Sequence, residues 1–309
     1  GMIPFEQRIP WLGGDLQTLR DTFRTDKLPW DSGEKVEIAV PDLPNGALGA
    51  GKLLALLDRP ADLRHVRGLV LMLHGLGGSS GRLGLRRMAV SLQQAGFAVL
   101  RLNLRGADPG RNLAGGTYAA ECNSDLAPVL LKARRICEQL AREGSGSKDS
   151  LPLLGAGISL GGTMLINACL KLKHSSEPGK PVLDGLVCTS SPLDLRACSA
   201  SIERPRNILY QRWLLHRLIR QTLADPFGVS SHEWQVLIKG IDGQRQLSTI
   251  RRFDEAITAP RWGFEDVDAY YARASPLLDL FRNPQCFPPT LLLQANDDPW
   301  VPAESAFEL

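Results

Sequence analysis

Four short runs, GLVLMLHG (68–75), LPLLGAGIS (151–159), LDGLVCTSSP (183–192) and PPTLLLQAN (288–296), are apolar almost without a break. A strand with one wet face alternates polar and apolar residues, so these runs predict strands buried on both faces. FAVLRLNLRG (97–106) is a further strand, in which Arg and Asn interrupt the apolar residues. Between them lie stretches of helical period. RLGLRRMAVSLQQAG ends at Gly96, DLAPVLLKARRICEQLAR covers 125–142, and LGGTMLINACLKLKHS follows residue 159. Buried strands alternating with helices predict a mostly parallel sheet with helices on both faces. VEIAV (36–40) and GKLLALL (51–57), separated by the turn PDLPNG, read as an opening antiparallel pair.

The 309 residues suffice for one large α/β domain carrying an inserted subdomain. Residues 193–272 break the rhythm, being helical and Arg-rich with Trp213, Trp234 and Trp262. They predict a cap over the C-terminal edge of the sheet, where open α/β sheets bind ligands. The core is then 1–192 plus 273–309, with the segment 1–34 packing on it.

Composition narrows the function. The net charge is +3 and the Lys and Arg residues are scattered, which excludes a nucleic-acid partner as an expectation. No apolar run approaches the roughly 18 residues of a membrane span. The opening GMIPFEQRIPWLGGD lacks the basic-then-apolar pattern of a secretory signal. Cys122, Cys137, Cys169, Cys188, Cys198 and Cys286 form no CxxC pair and no zinc-spaced cluster. They read as reduced, small hydrophobes in a cytoplasmic protein with no metal site.

Gly157-Ile158-Ser159-Leu160-Gly161 sits between a buried strand and a helix. G-x-S-x-G gains meaning from that context. A serine on so tight a turn needs neighbours without side chains, and the turn holds its hydroxyl above the sheet. Ser159 and the Leu160 N–H then stand at a helix N-terminus, which favours a developing oxyanion. Upstream, His74-Gly75-Leu76-Gly77-Gly78 ends another buried strand. In serine hydrolases on such sheets this loop gives the second oxyanion N–H, here from Leu76. Gly75, Gly77, Gly157 and Gly161 support the two turns, and His74 is a framework residue. A phosphate-cradling nucleotide loop is the poorer reading, because neither GK[ST] nor GxGxxG follows the strand.

PWLGGDLQTL, HGLGGSS, NLRG (103–106), GISLGG, TSSPLDLRAC, RRFDEAITAPRWGFEDVDAYYARAS (251–275) and DDPWVP together resemble the YheT-like branch of the α/β-hydrolase superfamily, over nearly the whole chain. The resemblance implies the α/β-hydrolase fold, a Ser-Asp-His triad and small-molecule acyl ester substrates, with no cofactor. Of Asp297 and Asp298, it favours Asp298 as the acid, first residue of a D-x-x-V-P ending. Asp15 stands where the family usually has a histidine.

The family's catalytic histidine follows the acid, as do a last strand and helix. No histidine follows Asp298 in this sequence. His65, His174, His216 and His232 read as residues of connections, helix ends and the cap, so the base is expected beyond Leu309. The function expected is therefore a carboxylic ester hydrolase, serine esterase or lipase-like. The alternative is a catalytically impaired α/β-hydrolase-fold protein binding an acyl ligand or a protein partner. Arg204, Arg206, Arg212, Arg217 and Arg220 interleave with apolar residues of the cap, a pattern compatible with membrane-surface contact. The favoured reading is a cap helix packed on the core with snorkelling arginines.

Overall fold

A computed structural model describes residues 6–7, 9–23, 27–45, 51–144, 151–172, 180–239, 247–283, 287–307 and 309. Helix α1 (Gly13–Phe23) precedes the antiparallel pair β1 (Glu34–Val40) and β2 (Gly51–Asp58). Then β3 (Leu69–Leu73), α2 (Leu83–Gln94), β4 (Ala98–Leu102), α3 (Asn123–Gly144), β5 (Leu153–Ile158), α4 (Leu160–Lys171) and β6 (Gly185–Thr189) alternate as expected. Helices α5 (Leu195–Ile202), α6 (Ile208–Leu223), α7 (Ser231–Lys239), α8 (Ile250–Phe253), α9 (Ala259–Arg261), α10 (Val267–Ala274) and α11 (Leu277–Arg282) follow before β7 (Thr290–Leu293) and α12 (Glu304–Phe307). A π-helical turn, Asp254–Thr258, joins α8 to α9. The boundary expected at 272 falls inside α10.

The seven strands lie in the order β1-β2-β4-β3-β5-β6-β7, parallel from β4 to β7. The residues of β3 divide by parity. Leu69, Leu71 and Leu73 share a core with α3 and α4, while Val70 and Met72 pack against Leu85 and Ala89 of α2. That division makes three layers, α/β/α, and explains why the inner strands read as apolar runs. β7 departs from the expectation: it lies last in the described sheet with Leu291 and Leu293 exposed, so its apolar run is not buried on both faces.

Two arginines that look like outward-facing residues of a half-wet strand are buried. Arg101 of β4 donates to Asp58 at 2.6 and 2.9 Å, to Asp31 at 2.6 and 3.1 Å, and to the Ser80 carbonyl at 2.8 Å. Arg105 donates to Asp125 at 2.9 and 2.7 Å and to the Pro41 carbonyl at 2.8 Å. Asn103 between them accepts from Ser80 N–H at 2.9 Å. Arg101 and Asn103 thus buttress the turn after β3 through Ser80.

Candidate active site

From β3 the chain steps to β4 on one side and later to β5 on the other. That reversal opens a crevice at the C-terminal ends of β3 and β5, where ligands bind in this class of sheet. His74-Gly75 leaves β3 there, and Ser159 leaves β5. Ser159 is the N-cap of α4, at φ 52° and ψ −127°. A non-glycine residue so placed costs about 1–3 kcal/mol and persists where its surroundings force it. Those surroundings are close. A Cβ on Gly75 would stand 2.9 Å from the Ser159 Cβ, and one on Gly161 would stand 2.6 Å from the Leu73 and His74 carbonyl oxygens. Gly157 lies directly against Gly162. The Ser159 N–H is anchored to the Thr189 carbonyl at 2.8 Å.

The Leu160 N–H is the first amide of α4 and has no carbonyl one turn back to bond. In the turn after β3, Gly77, at φ 64°, gives its N–H to the Tyr118 hydroxyl at 2.6 Å. Gly78 N–H goes to the Gly75 carbonyl at 3.0 Å, and the Leu76 amide has no acceptor among the described residues. Leu76, Ser159 and Leu160 line one cavity of about 200 Å³.

His74 is buried with both ring nitrogens committed. Nε2 accepts from the Leu104 N–H at 3.2 Å, so Nδ1 carries the proton and donates to the Gly75 carbonyl at 2.9 Å. Burial pushes its pKa down to about 4. His65 is exposed and paired with Asp62, at 2.9 Å. His216 on α6 and His232 on α7 are exposed. His174 lies outside the described residues. None of the four described histidines lines the cavity.

Asp298 sits past β7, two strands across from Ser159. Its Oδ1 accepts from the Trp300 N–H at 2.9 Å and the Val301 N–H at 3.0 Å, and both those residues line the cavity. Asp297 is exposed, with Gly14 of α1 packed on its backbone.

The helical wall holds groups that no motif announced. Leu214, Leu218, Ile250 and Phe253 make it apolar, and Asp254 stands among them. Its carboxylate accepts from Thr258 Oγ1 at 2.7 Å and from the Tyr271 hydroxyl at 2.8 Å. It keeps surface toward the cavity while protein encloses it, and this desolvation lifts its pKa to about 6. Asp254 follows Ile250 and Phe253 at helical spacing on the cavity face, and a π-helical turn, a feature recurrent at functional sites, begins at it. The sequence signal lay in FDEAITAP and YYARAS, quoted above only for the resemblance. Among the described residues no group of His, Cys, Asp and Glu could hold a metal ion, and Cys122, Cys137, Cys169, Cys188 and Cys198 are free.

The chain is similar to YheT of Escherichia coli (strain K12), 30% identical over 248 residues that make 80% of this chain and 66% of that protein. It is 29% identical to Phospholipase ABHD3 of Bos taurus over 241 residues, 77% of this chain and 52% of that protein. It therefore spans about half to two thirds of the length of these curated relatives. The crystal structure of a soluble variant of monoglyceride lipase from Saccharomyces cerevisiae superposes with a TM-score of 0.51 at 15% identity, covering 93% of this chain and 83% of that one. At that identity the likeness is one of fold, the α/β-hydrolase fold. Residues 64–309 match the Hydrolase_4 family, described as serine aminopeptidase, S33. A match over so much of the chain, joined to the likeness to YheT, settles kinship: the chain belongs to the Hydrolase_4 family and, within the α/β-hydrolase superfamily, to its YheT-like branch.

Proposed function

We propose that this chain is the catalytic unit of a serine hydrolase acting on carboxylic esters with apolar acyl groups. The observation that carries the reading is Ser159, held at positive φ between two candidate oxyanion amides and facing an apolar cavity. In this reading Ser159 Oγ attacks the acyl carbonyl. The Leu76 and Leu160 amides receive the oxyanion, and the ester's alkoxide leaves protonated. Water then releases the acyl group. Asp298, its Oδ1 fixed by two backbone N–H groups, orients the imidazole that shuttles the proton. The strand ends that carry Ser159 and Asp298 are two strand spacings, about 10 Å, apart, which leaves room for that ring. The base is a histidine outside the described residues, and the family's chain order puts it after Asp298. Residues 193–272 act as the cap that shapes the acyl site. A phospholipase among the relatives supports lipid acyl esters as the substrate class.

Labelling the full-length protein with a fluorophosphonate tests this. One adduct by intact mass is expected, absent in Ser159→Ala, and ester turnover should fall about 10³- to 10⁶-fold in that variant. No adduct on folded full-length protein would sink the hydrolase reading.

A further inference from the structure

Beside the cavity lies a second concavity, a groove of about 570 Å³. The turn after β3 separates the two: Leu76 lines the cavity, while Gly77, Gly78 and Ser79 line the groove. Helix α6 divides in the same way. Leu214 and Leu218 face the cavity, Arg217 and Arg220 face the groove, and Gln221 borders both. Arg82, at the N-cap of α2, and Arg111, after β4, complete a ring of four guanidiniums.

One carboxylate answers them. Asp108 pairs with Arg111 at 2.9 Å. Arg111 Nε is nevertheless buried without an acceptor among the described residues. Arg217 donates to the Gly77 carbonyl at 2.5 Å, and its guanidinium lies 5.0 Å from the centre of the Trp213 ring. Among the described residues no carboxylate pairs with Arg82, Arg217 or Arg220. The groove thus holds three uncompensated cations in a chain whose net charge is only +3. Cations brought together without counter-charge repel one another, so the arrangement is stable only with solvent or an anion between them. Guanidinium forks match the oxygens of a phosphate, two N–H bonds to each group.

We propose that the groove binds a phosphate group, carried on the alcohol side of the acyl ester whose carbonyl enters the cavity at Ser159. The inference rests on the ester-hydrolase reading and narrows its substrates to phosphate-bearing acyl esters. Consecutive Cα atoms are about 3.8 Å apart, so the residue beside the oxyanion donor Leu76 already belongs to the groove. A headgroup a few bonds from the ester reaches it. The arginines of α6 thereby acquire a role that neither solvated surface nor lipid contact supplies.

Equilibrium dialysis of the full-length Ser159→Ala protein tests this without turnover. The ligands are inorganic phosphate, a short-chain phosphate-bearing acyl ester below its micelle threshold, and an uncharged ester of the same chain. Both phosphate ligands should bind, more weakly as salt rises. Both should lose about tenfold or more in affinity in the Arg111→Gln/Arg220→Gln variant. The uncharged ester should bind that variant unchanged, which also shows that it is folded. Arg220→Lys, which keeps the charge, should lose less than Arg220→Gln. Three results overturn the proposal. Phosphate binding with an ester that ignores the arginine changes leaves an ion site and no substrate site. Equal binding of charged and uncharged esters removes the role of the phosphate. Failure of both phosphate ligands to bind, with the protein retained on anionic lipid vesicles in a parallel flotation, makes the groove a membrane contact. Fluorophosphonate labelling of the wild type reads the hydrolase assignment separately and can fail while the dialysis result stands.

Discussion

The sheet-side wall of the cavity and its helical wall are held by different things. On the sheet side Gly75 and Gly161 bring the turn after β3 and the turn after β5 to within a side chain's width, and Ser159 is locked where they meet. On the helical side Leu214, Leu218, Phe253 and Asp254 present side chains from α6 and the π-helical turn. A wall of main chain presents the same amides to any ester. A wall of side chains can change with each substitution, so it sets which ester fits. The sheet side should therefore fail as a unit when altered, and the helical side should change its preferences and its response to pH.

The largest effect is expected beneath the sheet-side wall. Arg105→Met leaves Asp125 buried with no cation, the situation that costs about 3–5 kcal/mol in buried pairs. Urea unfolding should show that loss, and Ser159 labelling should fall with the folded fraction. A variant as stable as wild type would mean that Asp125 finds other compensation once the guanidinium is gone.

On the helical wall the expected sign is opposite. Burial raises the Asp254 pKa to about 6. The folded protein then holds this proton more tightly than the unfolded chain, where a carboxyl titrates near 4. Asp254's contribution is fully present below about pH 4 and is lost as pH rises through about 6. Asp254→Asn keeps the shape without the charge. Relative to wild type it should gain up to about 3 kcal/mol above pH 6 and nothing below pH 4. His74 runs the other way. Its pKa is depressed to about 4, so its contribution is lost as pH falls from about 6.5 through that value. In wild type the two slopes oppose each other. Thermal melts of the Asn variant between pH 4 and 7 should expose the His74 slope alone.

The same division governs what could be read from the sequence. The elbow and the turn after β3 are legible because close main-chain approach demands glycine, and glycine spacing survives in the text. The inner strands were visible for a similar reason, since burial on both faces leaves an apolar run, whereas the apolar run of β7 belongs to a strand with Leu291 and Leu293 exposed. Arg101 and Arg105 were not legible as buried. Their partners Asp31, Asp58 and Asp125 are distant in sequence, and alternation such as VLRLNLRG also describes a wet face. Asp254 was hidden differently. It stands at helical spacing with Ile250 and Phe253, on their inward face, but the period alone does not tell whether an acid on that face meets the core or a cavity. Tyr118 lies on a coil, where no period exists to read.

A smaller effect on stability, about 1–3 kcal/mol, is expected for Gly161→Ala, whose new methyl meets two carbonyl oxygens at 2.6 Å. It sharpens the comparison because it should lower the labelling rate of folded protein, whereas Leu218→Ala on the facing wall should alter acyl-chain preference and leave that rate alone. The converse pattern would make the helical wall the structural one.

The smallest effect lies where the two walls share a fastening. Asp15 of α1 accepts from the Tyr210 hydroxyl at 3.1 Å and pairs with Arg206 at 3.2 Å, both near the base of α6. Gly14, its neighbour, packs on Asp297 beside the candidate acid. These polar contacts are exposed, so Asp15→Ala should cost less than about 1 kcal/mol and shrink further in salt. Its kinetic effect separates two pictures of α1. If the loop carrying Asp298 is held by its own bonds to Trp300 and Val301, labelling of Ser159 keeps its wild-type rate. If the rate falls while the melt hardly moves, α1 positions that loop from outside. The sheet-side wall then owes part of its rigidity to a helix that comes before the whole sheet in the chain.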